Sequence, residues 1–240
     1  MGLGLGFLAD LVTLKRSGAL DGARRVVEIG SQQIADNMLE ADELLIELYG
    51  LFGKPKAQLG SLSKDNFTDL APPAEPFWTS LGFSYAAIDY NGHRNSTALD
   101  LNADNVPGNL RGQFDLVINT GTTEHVANQG NAFRVIHDLS AVGGLMYHEV
   151  PAGSWDHGLI NYGPKFFQFL QEQNDYEQVL YRGRRDIDMT IRSALRKRGK
   201  GDFVIPLDVP RELLPVKQNT RSMAERIVGK LIKSAHGDGR

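Results

Sequence analysis

Along the chain, helical and extended rhythms of apolar residues alternate. Phe7, Leu8, Leu11, Val12 and Leu14 recur at helical spacing and predict an amphipathic helix over residues 6–17, closed by Gly18. The rhythm then changes: Val26, Val27 and Ile29 form a compact run, interrupted by Glu28, that ends on Gly30. Such a run reads as a buried parallel strand over 24–29 entering a tight turn where backbone approaches a ligand. The next strand-like run, 83–89, begins more than fifty residues later, about twice what one crossover helix needs. The excess contains a predicted helix over 41–52, with Leu44, Leu45, Leu48 and Leu51 apolar and Gly53 and Pro55 as its stop. A polar loop over 56–76 follows, then a short crossover helix at 75–81. Residues 36–74 are therefore expected to be an inserted segment, either a lid over the ligand-facing edge of the sheet or a surface decoration.

Beyond it the pattern predicts a short strand at 96–99, a strongly apolar one at 114–119, a helix at 131–140, a Gly143-Gly144 turn and a strand at 144–150. A helix at 164–174 precedes two last strands, 176–181 and 202–207, expected as a hairpin separated by a helical insert over 189–198. Residues 221–234 read as a basic amphipathic helix with Met223, Ile227, Val228 and Leu231 on one face, inside a helical extension over 208–240. That helix is expected to dock on its own domain or on the partner in a homodimer. Strands alternating with helices mean a parallel sheet and an α/β fold. No internal repeat is present.

With 240 residues, 41% of them hydrophobic, the chain suits one domain with one sizeable core. Its formal charge of -3 gives no general attraction to nucleic acid. The absence of cysteine excludes disulfides, thiolate nucleophiles, cysteine-ligated zinc and iron–sulfur clusters, and fits a reducing cytoplasm. The opening Met1-Gly2-Leu3-Gly4-Leu5-Gly6 lacks the Ser or Thr that myristoylation needs at position 6. The apolar run that follows is broken by Asp10, Lys15 and Arg16, so no membrane segment is expected. Eight basic residues lie within 182–200. They read as a solvated helix and loop, with an anion site or a nucleic-acid patch as alternatives.

In order, the run VVEIGSQ, the acid ending AAIDYNG, the acid in ALDLNAD, the segment FDLVINTGTTEHV and the glycine pair before the next strand resemble the class I S-adenosylmethionine-dependent methyltransferases, over roughly residues 24–182. The resemblance implies a Rossmann-like, seven-stranded, mostly parallel sheet with helices on both faces, and S-adenosyl-L-methionine as cofactor. It implies that Glu28, Gly30, Ser31 and Gln32 cradle the amino-acid end of that cofactor. Asp89, with Tyr90 beside it, would take both ribose hydroxyls, because a carboxylate accepts two hydrogen bonds at once. Asp100 and Leu101 would meet the adenine, and Asn119, Thr120 and Gly121 would line the cofactor at the end of the fourth strand. The chain departs from the family in its first turn, where Ser31, Gln32 and Gln33 stand in place of further glycines.

Methyl transfer from a sulfonium is an in-line displacement, and a hydroxyl acceptor must also lose a proton. Imidazole suits that task. Three histidines adjoin an acid, as Glu124-His125, His148-Glu149 and Asp156-His157. All follow the carboxyl ends of the fourth and fifth strands in this reading, so they are expected to face the crevice where the acceptor arrives. Each has a structural alternative, as a helix-start residue at 125 or a loop anchor at 148 and 157. The run DHGLINYGPKFF resembles a loop and helix of some bacterial methyltransferases, which implies Asn161 and Tyr162, with Glu149, in the acceptor pocket. A metal held by the acid–histidine pairs is the weaker reading, because no tight H-x-x-x-H spacing exists, and none is expected. Amino-directed nucleic-acid methylation is disfavoured, because Thr-Gly-Thr follows Asn119 where the family has a proline–aromatic clamp.

The expected function is methyl transfer to a small molecule, a sugar or secondary metabolite, with a hydroxyl favoured over nitrogen. Two rivals are a nicotinamide-dependent oxidoreductase, whose G-x-G-x-x-G fingerprint is missing, and an interaction protein that has lost the cofactor.

Overall fold

The strand β1 (Arg25–Ile29) sits mid-sheet, as its burial demands: the last four of its five residues are buried. The computed structural model describes residues 2–57, 72–92, 96–153, 157–183 and 189–205. Around β1 lie β2 (Ser84–Asp89), β3 (Thr97–Ala98), β4 (Phe114–Thr120), β5 (Ser140–Pro151), β6 (Tyr176–Arg182) and β7 (Thr190–Lys197). They make one seven-stranded sheet in the order β3-β2-β1-β4-β5-β7-β6. Every pairing is parallel except those of β7, which runs antiparallel to both β5 and β6. The chain leaves β1 for β2 on one side, and β4 adds on the other. Connections departing in opposite directions open a crevice at the carboxyl ends of these two strands.

Alternate side chains on a strand point to opposite faces, and each face has its own core. Val26, Leu116, Ile118 and Tyr147 belong to one core with α1 (Leu5–Arg16), α2 (Asp36–Leu39), α3 (Asp42–Leu51) and α4 (Glu75–Ser80). Val27, Ile29, Val117 and Met146 belong to the other, with α5 (Gln129–Leu139) and α6 (Pro164–Gln173). In the α1 face Trp78 is fully buried and packs edge-to-face on Phe7, Phe77 and Phe83.

The described part of the expected insertion is a packed layer. Leu45, Leu48 and Tyr49 of α3 are buried in the α1 core, and at its return the Pro72 carbonyl accepts from Ile34 N at 2.8 Å while Ala74 N donates to the Gln32 carbonyl at 3.1 Å. Residues 58–71, which hold most of the expected loop, lie outside the described residues, as does the helix expected at 221–234.

Three expectations are corrected. The helical insert at 189–198 is strand β7: Ile191, Ser193 and Leu195 alternate inward at period two, and their burial outweighs the helix-like look of the interleaved Arg192 and Arg196. The strand expected at 202–207 is irregular through 205, and 206–207 lie outside the described residues. The Gly143-Gly144 turn is absorbed into β5, where the register against β4 shifts between Phe114 and Leu116. Among the described residues no helix is long and apolar enough to cross a membrane.

Candidate functional site

At the end of β1 the chain turns on Gly30, whose φ of 77° only glycine adopts without strain. A Cβ there would lie 2.5 Å from Thr122 Oγ1, and the Thr122 hydroxyl donates to the Ile29 carbonyl at 2.6 Å. The loops after β1 and β4 therefore meet with no room for a side chain. Neither Ser31, Gln32 nor Gln33 has a positive φ, so one glycine is all this turn needs.

The turn is held from both sides by carboxylates. Ser31 N donates to Asp89 Oδ2 at 2.9 Å, and Gln32 N donates to Glu28 Oε2 at 3.0 Å. Glu28 is fully buried and also accepts from Trp78 Nε1 at 2.8 Å, on Oε1, and from the Tyr85 hydroxyl at 2.7 Å, on Oε2. Burial raises its pKa from the ordinary 4.5 to about 7, against the three donors, which pull it down. The expectation that Glu28 cradles a ligand is thereby corrected. Its oxygens serve the protein, and it shapes the turn from beneath.

The raised value has a sign. A carboxyl whose pKa is higher folded than unfolded binds its proton more tightly in the native state, so stability falls as pH rises through the interval. Relative to Glu28→Gln, the protein is expected to lose roughly 3 kcal/mol of stability between pH 4.5 and 7, at about 1.4 kcal/mol per unit. Denaturant unfolding of both proteins at several pH values checks this; a difference independent of pH would refute it.

The crevice itself is a cavity of about 370 Å³. Gly30, Ser31 and Gln32 form its floor, Asp89 and Tyr90 the end of β2, and Asp100 and Leu101 the loop after β3. Gly121 lines it from the end of β4 and His125 from the turn beyond. Asn119 and Thr120 do not line it. Both are buried within β4, and Asn119 donates to Thr123 Oγ1 at 2.9 Å and pairs with His148 Nδ1 at 3.2 Å. Thr122 and Val126 line the cavity and were not anticipated; the small and β-branched run after Asn119 was their only signal. Gln32 spends its amide on the Ile29 carbonyl and Thr122, while its buried Oε1 has no hydrogen-bond donor among the described residues.

The three acid–histidine pairs separate. His148 lies inside β5, 1% exposed, stacked on Phe133 and packed near Phe167. Burial lowers its pKa to about 3, so it stays neutral and is a feeble base. Its expected place at the crevice is corrected: β5 runs on to Pro151 and keeps position 148 in the core. Glu149 turns instead toward the α1 side, where burial raises its pKa against the pull of Arg192. Tyr162 is buried too, its hydroxyl donating to Gln129 Oε1 at 2.5 Å and lying 3.0 Å from the Thr123 hydroxyl, from which it accepts, so it anchors its loop. Asn161 is exposed on the same loop.

The other two histidines do converge. Glu124 and His125 stand in a 3-10 turn, Thr123–His125, and the loop after β5 returns over it: Leu159 N and Ile160 N both donate to the Glu124 carbonyl, at 2.7 and 3.1 Å. His157 Nε2 lies 3.3 Å and His125 Nε2 3.8 Å from Glu124 Oε1, and the two rings meet edge-to-face at 5.0 Å. Asp156 lies outside the described residues. The missing H-x-x-x-H spacing did not prevent convergence, because a loop closes what sequence distance separates.

The family described as "Methyltransferase domain" matches residues 8–198. No curated protein matches the sequence. Among solved structures, the Burkholderia thailandensis 1,6-didemethyltoxoflavin-N1-methyltransferase, crystallised with 1,6-didemethyltoxoflavin and S-adenosylhomocysteine, is 12% identical, with a TM-score of 0.43 over 80% of this chain and 87% of that one. Haemophilus influenzae TehB is 11% identical, with a TM-score of 0.45 over 80% of this chain and 62% of its own. The CurJ carbon methyltransferase is 11% identical, with a TM-score of 0.47 over 82% of this chain and 57% of its own.

Proposed function

The chain belongs to the methyltransferase-domain family, and on that premise we propose that it methylates a hydroxyl of a small molecule, a sugar or secondary metabolite, with His125 as general base. It is an S-adenosylmethionine-dependent methyltransferase, and that cofactor supplies an electrophilic methyl group on a sulfonium. The residues of the crevice fit it. Gly30 leaves a cradle that a Cβ would fill, Asp89 stands at the end of β2 for a ribose diol, and the unpaired Gln32 Oε1 is the acceptor left in the turn for an ammonium. In this reading Gln32 takes the place expected of Glu28. Asp100 and Leu101 hold the adenine end.

The observation that carries the acceptor reading is His125. It lines the cavity, is half-exposed, and has its Nε2 directed at the buried Glu124 carboxylate. The carboxylate beside the ring is placed to orient it toward the acceptor, as the third group of a base–orienter pair does. His157, from the facing loop, flanks the same carboxylate.

The test is transfer of labelled methyl from S-adenosylmethionine to a panel of hydroxylated small molecules. His125→Ala is expected to lower kcat by roughly 10²–10⁴-fold and to leave S-adenosylhomocysteine affinity within a few-fold of the parent. An unchanged kcat would remove His125 from the reaction.

A further inference from the structure

We propose that Glu124, His125 and His157 form a binding site for a first-row divalent transition metal ion. One ligand atom from each lies within 4.8 Å of the other two. The Glu124 side chain has no solvent exposure, yet among the described residues neither Oε1 nor Oε2 has a hydrogen-bond partner, and His157 Nε2 has none either despite lying 3.3 Å from Oε1. A buried carboxylate is retained when it is paired, hydrogen-bonded or bound to metal, and this one lacks the hydrogen bonds.

The spacing fits an ion. Ligands about 2.0–2.2 Å from zinc stand about 3.3 Å from one another when tetrahedral, and the separations from Glu124 Oε1 are 3.3 and 3.8 Å. The backbone fixes the arrangement in advance, through the two amides that clamp the loop to the Glu124 carbonyl. Gly158 makes the close pass possible, since a Cβ there would lie 2.6 Å from Glu124 Cγ. Two imidazoles and a carboxylate select zinc, cobalt or iron(II) over magnesium and calcium, which want oxygen ligands, and they leave coordination positions open.

His125 belongs to both this cluster and the wall of the crevice, so those open positions adjoin the acceptor. Resting on the methyl-transfer reading above, the site would take the acceptor hydroxyl. Coordination makes that hydroxyl more acidic, and its proton leaves to solvent. The oxygen lone pair then forms the O–C bond as the C–S bond breaks, and the electron pair of that bond stays on sulfur, leaving a neutral thioether. In the loaded protein the imidazoles are ligands, and proton abstraction by His125 belongs to the ion-free form.

The experiment is calorimetric titration of chelator-treated full-length protein with zinc chloride and, separately, magnesium chloride, together with the visible absorption of cobalt(II) added in place of zinc. One zinc per chain is expected, no magnesium, and cobalt bands of mixed imidazole and carboxylate ligation. Glu124→Gln and His157→Ala should each weaken zinc binding by at least the roughly 100-fold that marks the upper range for losing even an outer-shell partner. His157 lies on an exposed loop, so its variant reports even if Glu124→Gln does not fold. Absent zinc binding, or binding equal in the parent and His157→Ala, overturns the site. Failure to bind zinc in a protein that still transfers methyl overturns the site while the proposed reaction stands. Zinc binding lost in His157→Ala, in a protein that neither binds S-adenosylhomocysteine nor transfers methyl, upholds the site and overturns the reaction.

Discussion

Trp78→Ala is expected to lower the free energy of unfolding by about 4–8 kcal/mol. The indole is fully buried, with edge-to-face ring contacts at 5.8 Å to Phe7, 5.1 Å to Phe77 and 5.5 Å to Phe83. Truncating a large aromatic in a packed core costs about 3–5 kcal/mol, because the surroundings close only part of the cavity. The indole also donates to Glu28 Oε1 at 2.8 Å, so the truncation strips a buried carboxyl of one donor, at about 1–3 kcal/mol more. A domain of this kind is stable by about 5–15 kcal/mol, so the variant sits at the edge of folding. Trp78→Phe separates the two contributions, keeping most of the ring packing and losing the donor. Urea unfolding of the three proteins measures both; if alanine costs no more than phenylalanine, the packing argument fails.

The second large effect concerns the ligand. Asp89→Ala is expected to weaken S-adenosylhomocysteine binding by about 100-fold or more, which is about 2.7 kcal/mol. Asp89 lines the crevice and at the same time accepts from Ser31 N at 2.9 Å. On the proposed reading its removal would cost the ribose contacts and would free the turn that carries Gly30 and Gln32. Hydrogen bonds to a charged acceptor contribute about 1.5–3 kcal/mol each, so losing two or three of them accounts for the predicted change. Asp89→Asn retains one acceptor oxygen and should fall between. Calorimetry on the three proteins gives the answer, and equal affinities would mean that the ribose lies elsewhere.

The site was legible in sequence where an unusual residue ended an apolar run. Gly30, Asp89 and Asp100 each mark the end of a strand-like stretch, and all three reach the crevice. What could not be read was direction beneath the surface. Glu28 looks like a ligand-facing acid, yet Trp78 and Tyr85, 50 and 57 residues away, claim its oxygens. His148 lies in the strand expected at 144–150, but its apolar stretch alone does not say whether position 148 turns toward the crevice or into the core. Strand β7 was missed because its basic residues suggested a solvated helix. They are tolerated in a sheet because distant partners meet them: Arg192 reaches Asp10 at 3.1 Å, Arg196 the Ala19 carbonyl at 3.0 Å, and Lys197 the His137 carbonyl at 2.9 Å. Glu124 and His157 were each singled out, but only the loop that clamps them shows that they belong together.

Burial acts oppositely on Glu28 and His148, and the two shifts overlap. A histidine whose pKa is lower folded than unfolded makes the native state lose stability as pH falls from 6.5 toward 3. Glu28 makes it gain stability as pH falls from 7 toward 4.5. Across pH 4.5–6.5, unfolding therefore releases a proton from the carboxyl and takes one up on the imidazole. The core holds a proton-neutral couple, and as far as these two groups go the stability of the parent is flat with pH. Each slope is hidden by the other, and emerges only when one member is replaced.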